Sequence, residues 1–239
     1  MIDTHCHILW GVDDASAMAS QSLEMLQIAV QDHISVIVAT SHIKYPMFPN
    51  TFDSLNQAMA LLQQQIELHN LAIKVVMGAE NFVNHKTIEL LDQNKFVTYN
   101  HAGKYMLVEF AWTKNPFDQP TKYLKQILEK GITPVIAHPE RYEWVHEDYD
   151  LIRVWKDMGC LMQVNRTSIL QMDKIKEANS TALRLLEDDF VDMVGSDAHS
   201  AITIRKPILS DAYDYIQLNY GKARADKCLY TNPKKIITN

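Results

Sequence analysis

The sequence predicts an α/β fold in which a parallel sheet is wrapped by helices, with a closed or distorted barrel favoured over an open sheet. Three observations carry this expectation. Apolar runs alternate with helical periodicity about seven times along the 239 residues, the order of βα units. The runs are too continuously apolar to be half exposed. Polar residues with metal-binding or acid–base chemistry collect at the C-terminal end of run after run, the face on which barrels place active sites. An open doubly wound sheet would instead gather them at one or two switch points. No Gly/Ser/Pro-rich linker, charge block or low-complexity run marks a boundary, so one barrel domain over 1–239 is expected.

Ile2 to Ile8 is the first strand candidate. Ser20 or Ser22 could cap a helix reaching about His33, with Leu23, Leu26 and Val30 on its inner face. Val36 to Thr40 follows as a strand, with His42 just past its end. Phe52, Leu55, Met59, Leu62 and Ile66 recur at steps of three and four, an amphipathic helix that starts near Thr51. Lys74 to Ala79 is a strand ending at Glu80, and a polar segment with a short helix leads to the strand Tyr105–Val108, which ends at Glu109. Pro120 to Lys130 reads as a helix closed by Gly131. The strand Thr133–Ala137 ends at His138-Pro139, a helix spans about Leu151 to Met158, and the strand Cys160–Val164 ends at Asn165. A helix over about Met172 to Leu186, the strand Val191–Val194 leading to Asp197 and His199, and a helix from about Ile208 to Tyr220 complete the pattern.

Composition excludes several classes of function. A hydrophobic content of 47% with 22% charged residues fits a full core and excludes long disorder. The formal net charge of −6, without any strongly basic stretch, argues against nucleic acid or an anionic membrane surface as a partner. No stretch approaches the ~20 apolar residues of a membrane span, and Met1 to His5 opens without a secretory pattern, so a cytoplasmic location is expected. Cys6, Cys160 and Cys228 are widely spaced and suit reduced thiols, and no Cys-x-x-Cys pair offers a structural zinc site.

His5-x-His7 places two imidazoles on one face of an extended strand. Two imidazoles do not fill a coordination sphere, and the strand ends supply more donors. In order they are His5, His7, Asp14, His42, Glu80, Glu109, His138, Asp197 and His199. These nitrogen and oxygen ligands are too many for one ion and suit two or three. Carboxylates gathered so closely would resist ionisation unless cations sat among them. His33, His69, His85, His101 and His146 fall on helices or connections and receive no role.

The motifs Asp3-Thr4-His5-Cys6-His7, Val12-Asp13-Asp14, Thr40-Ser41-His42, Gly78-Ala79-Glu80, Val108-Glu109-Phe110, His138-Pro139-Glu140-Arg141-Tyr142 and Ser196-Asp197-Ala198-His199 resemble the polymerase and histidinol phosphatase (PHP) superfamily. Within it, the chain is similar over essentially its whole length to the bacterial capsule-regulating, metal-dependent protein-tyrosine phosphatases. The resemblance implies a distorted (β/α)7 barrel and three divalent metal ions, typically manganese, with iron, zinc or magnesium as alternatives. It implies that His5, His7, Glu80 and Asp197 hold the first ion, Glu80, Glu109 and His138 the second, and Asp14, His42 and His199 the third. It further implies that Arg141 and Arg205 contact the substrate phosphate, and that the partner is the phosphotyrosine-bearing tail of a bacterial tyrosine kinase of exopolysaccharide synthesis. Two departures bear on loop shape: Ala15 stands where the family usually has Gly, and Lys44 follows His42 where an Arg is common nearby.

Such a cluster supports phosphate-ester hydrolysis. Divalent ions lower the pKa of bound water from 15.7 toward ~7, giving a hydroxide that can attack phosphorus. A tyrosine leaving group, with a pKa near ~10, needs less help from a general acid than an alkyl alcohol. A small-molecule phosphomonoesterase such as a histidinol phosphatase, or a metal-holding regulator that binds phosphotyrosine without turnover, would use the same residues. Cys160 and Arg166 have the spacing of cysteine-dependent tyrosine phosphatases. The intervening residues read as a buried strand without glycine, which disfavours a phosphate-cradling loop.

Overall fold

The computed structural model describes residues 1–238. Its strands are β1 (Ile2–Cys6), β2 (Val36–Ala39), β3 (His42–Ile43), β4 (Lys74–Met77), β5 (Glu80–Phe82), β6 (Tyr105–Glu109), β7 (Thr133–Ala137), β8 (Leu161–Asn165) and β9 (Met193–Gly195). All pairings are parallel, in the orders β1-β2-β4 and β3-β5-β6-β7-β8-β9. β2 and β3 are two pieces of one stave, as are β4 and β5, so the nine segments make seven staves. The ring closes where Asp197 N donates to His5 O (2.8 Å) and His7 N donates to Ala198 O (2.9 Å). The expected distorted (β/α)7 barrel is therefore the fold.

The strand period of two explains both the core and the site. In β7, Val135 and Ala137 face the barrel interior while Ile136 packs outward; in β6, Leu107 faces in while Met106 and Val108 pack outward. The lower interior is a small apolar plug of Val38, Val76, Tyr99, Leu107, Val135, Met193 and Ile236. The next inward positions up the staves are Glu109 above Leu107 and Glu80 above Val76. The interior thus changes from apolar to ligating along single strands.

The interruptions matter as much as the strands. A Cβ on Gly78 would lie 2.6 Å from Val38 Cγ1, so only glycine lets the fourth and second strands approach here, and the stave resumes at Glu80 after its break. Several boundaries differ from expectation. β1 stops at Cys6, leaving His7 in the loop. The first helix (Ala19–Gln31) is not capped by serine; Gln21 Oε1 accepts from the Ala17 and Met18 amides instead. Thr51 does cap the helix Phe52–Leu68, its Oγ1 accepting from Ser54 N at 3.2 Å. Other helices include Pro120–Glu129, Asp150–Asp157, Lys176–Glu187 and Ser210–Tyr220. The chain then continues through Lys222–Asp226, a π-helical turn and Asn232–Thr238, which carries Ile236 into the plug. The few apolar residues of this terminal segment set no helical period in the sequence.

Candidate metal centre

The barrel brings every one of the strand-end donors to one rim. His5, His7, His42, Glu80, Glu109, His138 and Asp197 are buried there. Groups whose donor atoms lie within 4.8 Å of one another are His5, His7 and Asp197; His5, Glu80 and His138; His42, Glu80 and Glu109; and His7, Asp14, His42 and His199. Glu80 and the histidines recur between groups, so this is one continuous cluster.

Hydrogen bonds behind the cluster fix which nitrogen faces it. His5 Nδ1 lies 2.6 Å from Gln163 Oε1, and Gln163 Nε2 donates to Val164 O and Asn165 Oδ1, so the imidazole must be the donor. His7 Nδ1 lies 2.9 Å from Asp13 Oδ2 and likewise donates. Both Nε2 lone pairs then point inward, 3.2 Å apart, and each lies 3.3 Å from Glu80 Oε2. Asp197 Oδ1 lies 3.6 and 3.7 Å from them. Four acceptors facing one another repel unless a cation or proton lies between them. Separations of this size are the ligand–ligand edges of a sphere with bonds of about 2.1 Å. The residues therefore fit a divalent ion, and their second nitrogens are held as metal-ligating histidines require.

Electrostatics agree. Burial opposes charging of His7, but Asp13 and Glu80 outweigh it and raise His7 to about 10, so the surroundings favour positive charge here. Burial, reinforced by Glu80, pushes Glu109 above its usual range. His42 Nδ1 and His138 Nδ1 are buried without hydrogen-bond partners, and the former faces Glu80 Oε2 at 3.2 Å. The orphan His42 Nδ1 beside Glu80 suits a cation, and His138 turns its other nitrogen, Nε2, to Glu80 Oε1 at 2.8 Å. Asp14 is half exposed and reaches the rim from its loop, with Oδ1 3.4 Å from His199 Nε2 and 3.6 Å from His42 Nε2.

Backbone strain sits at the same place. His138 (φ +33°) and Asp197 (φ +49°) adopt left-handed conformations, each costing about 1 to 3 kcal/mol and placing the side chain back over the rim. Gly195 permits the close approach beneath them, because a Cβ there would lie 2.6 Å from His5 Cβ.

The two arginines differ. Arg141 is buried: Nε and Nη2 bind Asp173 Oδ2 (2.8 Å), Nη1 binds Asp197 Oδ2 (2.8 Å), and the guanidinium stacks 5.2 Å from the Trp112 ring centre. Arg205 is about one-third exposed, with Nη2 2.7 Å from Asp197 Oδ1 and 3.2 Å from His199 Nε2. Both line a cavity of about 370 Å³ with the cluster at its base.

Other residues of the site went unassigned from sequence. Lys44 Nζ lies 3.1 Å from Glu109 Oε2, and Trp112 Nε1 donates to Glu109 Oε1 at 3.1 Å. Lys44 follows His42 by two, the strand spacing that puts both on one face. Gln163 and Asn165 interrupt an apolar strand, the signal of an inward polar position. Asp13 was visible beside Asp14. Nothing in the sequence marks Asp173. Ala15 fits its loop without a left-handed backbone, its N–H donating to Asp13 Oδ1. The histidines given no role lie away from the rim: His101 stacks on Phe52 and His85 pairs with Asp118.

With this geometry in view, comparison with known proteins places the chain. A family model described as capsular polysaccharide synthesis, CpsB/CapC, matches residues 1–238. The chain belongs to the CpsB/CapC family. It is 32% identical to the tyrosine-protein phosphatase CpsB of Streptococcus pneumoniae, over 99% of this chain and 98% of that protein. It is 31% identical to the tyrosine-protein phosphatase YwqE of Bacillus subtilis, over 85% and 79% respectively. A solved structure from work on YwqE and CpsB, described as unique metal-dependent tyrosine phosphatases, superimposes with a TM-score of 0.90 at 26% identity, covering 100% of this chain and 95% of that one. No helix among the described residues is long and apolar enough to cross a membrane.

Proposed function

We propose that this chain, acting as one barrel domain, is a metal-dependent protein-tyrosine phosphatase whose substrate is the phosphotyrosine tail of a bacterial tyrosine kinase controlling capsular or exopolysaccharide synthesis. The observation that carries this reading is the set of inward lone pairs converging on Glu80, with two guanidinium groups on the wall of the same cavity. Membership of the CpsB/CapC family supports the substrate.

In this reading His5, His7, Glu80 and Asp197 hold one divalent ion, Glu80, Glu109 and His138 a second, and Asp14, His42 and His199 a third, with manganese the preferred metal. When bound, the ions supply a nucleophile at neutral pH by lowering the pKa of water toward ~7, and neutralise charge on the phosphoryl oxygens. Gln163 and Asp13 accept from Nδ1 of His5 and His7 and so turn the Nε2 atoms toward the site. Arg205, the more exposed guanidinium, braces non-bridging oxygens through paired donors. Arg141 lies at the cavity wall and also positions Asp197. Lys44 and Trp112 orient Glu109. A phenolate leaves readily, so the chain needs no strong general acid. The same reading places the activity in the cytoplasm.

The deciding experiment measures kcat/KM for a phosphotyrosine peptide and for histidinol phosphate after manganese loading. The peptide is expected to be preferred at least tenfold. Preference for histidinol phosphate would replace this reading by the small-molecule one, and absence of turnover on either would leave a binding protein.

A further inference from the structure

Beside the metal cavity lies a larger apolar groove of about 1070 Å³, and the two share Phe110 and Ala111 in their walls. Val83, Leu128, Trp144, Leu151 and Met158 supply its floor and sides. Lys122 and Lys125 stand at its edge without a carboxylate partner among the described residues, local positive charge on a chain of net −6. Around the same face the loops after β1, β3, β6 and β9 expose Met18, Met47, Phe117 and Ile202, up to 90% for the last. Isolated surface apolar residues need no explanation, but Phe117 stands in the loop that gives Asn115, Pro116 and Asp118 to the groove, and so extends its apolar surface toward solvent.

A cavity of about 370 Å³ is at the small end of ligand sites and leaves most of a polypeptide outside. We propose that the groove takes the apolar side chain of a residue flanking the phosphotyrosine in a polypeptide substrate, with acidic neighbours lying against Lys122 and Lys125. The occupant follows from continuity with the metal cavity and from the charge of the groove's edge. This inference rests on the phosphatase reading above and names the substrate sequence that reading leaves open.

The test compares O-phosphotyrosine with phosphopeptides carrying Leu, Phe, Asp or Ser at each of the three positions on either side of phosphotyrosine. The native enzyme should favour an apolar residue over Ser by roughly tenfold at one or more positions, the size of discrimination an apolar pocket gives. Leu128→Gln and Leu151→Gln should bring that preference close to unity, through KM, with O-phosphotyrosine turnover unchanged. Lys125→Glu, an exposed substitution that folding tolerates, should weaken only peptides with acidic flanks. Equal rates on all peptides by the native enzyme would overturn the proposal, as would a preference that survives both Gln variants. So would a change in oligomeric state with peptide preference intact, which would make the groove a contact between copies. Failure to hydrolyse even O-phosphotyrosine would instead bring down the phosphatase reading itself.

Discussion

β8 contributes to two arrangements that carry phosphatase residue types, and they behave oppositely. On its inner face Gln163 and Asn165 hold His5 and Asp197 in the rim cluster. At its two ends lie Cys160 and Arg166, spaced as in cysteine-dependent tyrosine phosphatases. Cys160 is buried among apolar residues, and burial pushes its thiol up to about 12. Arg166 is spent elsewhere, with Nε and Nη2 on the Asp211 carboxylate (2.7 and 2.5 Å) and Nη1 on Ile204 O (2.9 Å). The extended strand between them spans roughly 20 Å at about 3.3 Å per residue, where a phosphate loop would need to curl. Spacing therefore carries chemistry only with the backbone shape that goes with it. The rim residues are far apart in sequence yet converge, while the Cys and Arg are close in sequence yet diverge.

The sharpest way to break this contrast is to remove metal. Chelation and desalting should abolish phosphatase activity, and manganese should restore it, with metal content followed by elemental analysis. Glu80→Gln should mimic chelation, since Glu80 belongs to more of the donor groups than any other carboxylate. His5→Ala, His42→Ala and His199→Ala should each lose bound metal and activity, whereas His69→Ala, at the end of an outer helix, should lose neither. A fully active metal-free preparation would overturn the rim as the site.

The arginines come next in size and should separate from each other. Arg205→Ala should lower kcat/KM by about 30- to 1,000-fold, or ~2 to 4 kcal/mol, with little change in thermal midpoint, and lysine should rescue only in part. Arg141→Ala should lower the rate comparably but also lower the thermal midpoint and metal content. Its loss leaves the buried Asp173 and Asp197 carboxylates without their shared counter-charge. Equal, purely kinetic effects in the two variants would contradict the difference in their surroundings.

How much of this was legible in the sequence follows from what each feature depends on. Strand order and the rim donors were readable because inward positions repeat with period two and end in ligating residues, as in Leu107 then Glu109. The breaks in the second and third staves were not readable, since they depend on how closely Gly78 approaches Val38. Arg141 could be named but not its burial, because Asp173 lies in a loop with no pattern around it. Gln163 is the instructive omission. One buried amide in an apolar strand is usually a satisfied core residue, and only the fold puts His5 beside it.

Gln163→Ala and Asp13→Asn therefore test the support behind the proposed metal ligands His5 and His7. Each should weaken metal affinity by about 10- to 100-fold, the usual effect of losing a partner behind a ligating histidine, with activity recovered at excess metal. Competition against a chelator of known affinity would measure it. Unchanged affinity in both variants would mean that the imidazoles hold their tautomers without help.

The smallest effect should fall on the other side of the contrast. Cys160→Ser places a hydroxyl in an apolar environment, and Arg166→Ala leaves Asp211, which is partly exposed, to be resolvated. Both substitutions are expected to cost stability, about 1 to 3 kcal/mol for the first by the usual penalty for burying a hydroxyl. Neither touches a rim donor, so kcat/KM should stay within about twofold of wild type once the proteins are compared below their thermal midpoints. Measuring rate and midpoint together matters, because a destabilised enzyme assayed near unfolding would mimic a catalytic loss. A large fall in kcat for Cys160→Ser at a temperature where the protein is fully folded and fully metal-loaded would point to a thiol nucleophile, against the burial and the strand geometry that separate Cys160 from Arg166.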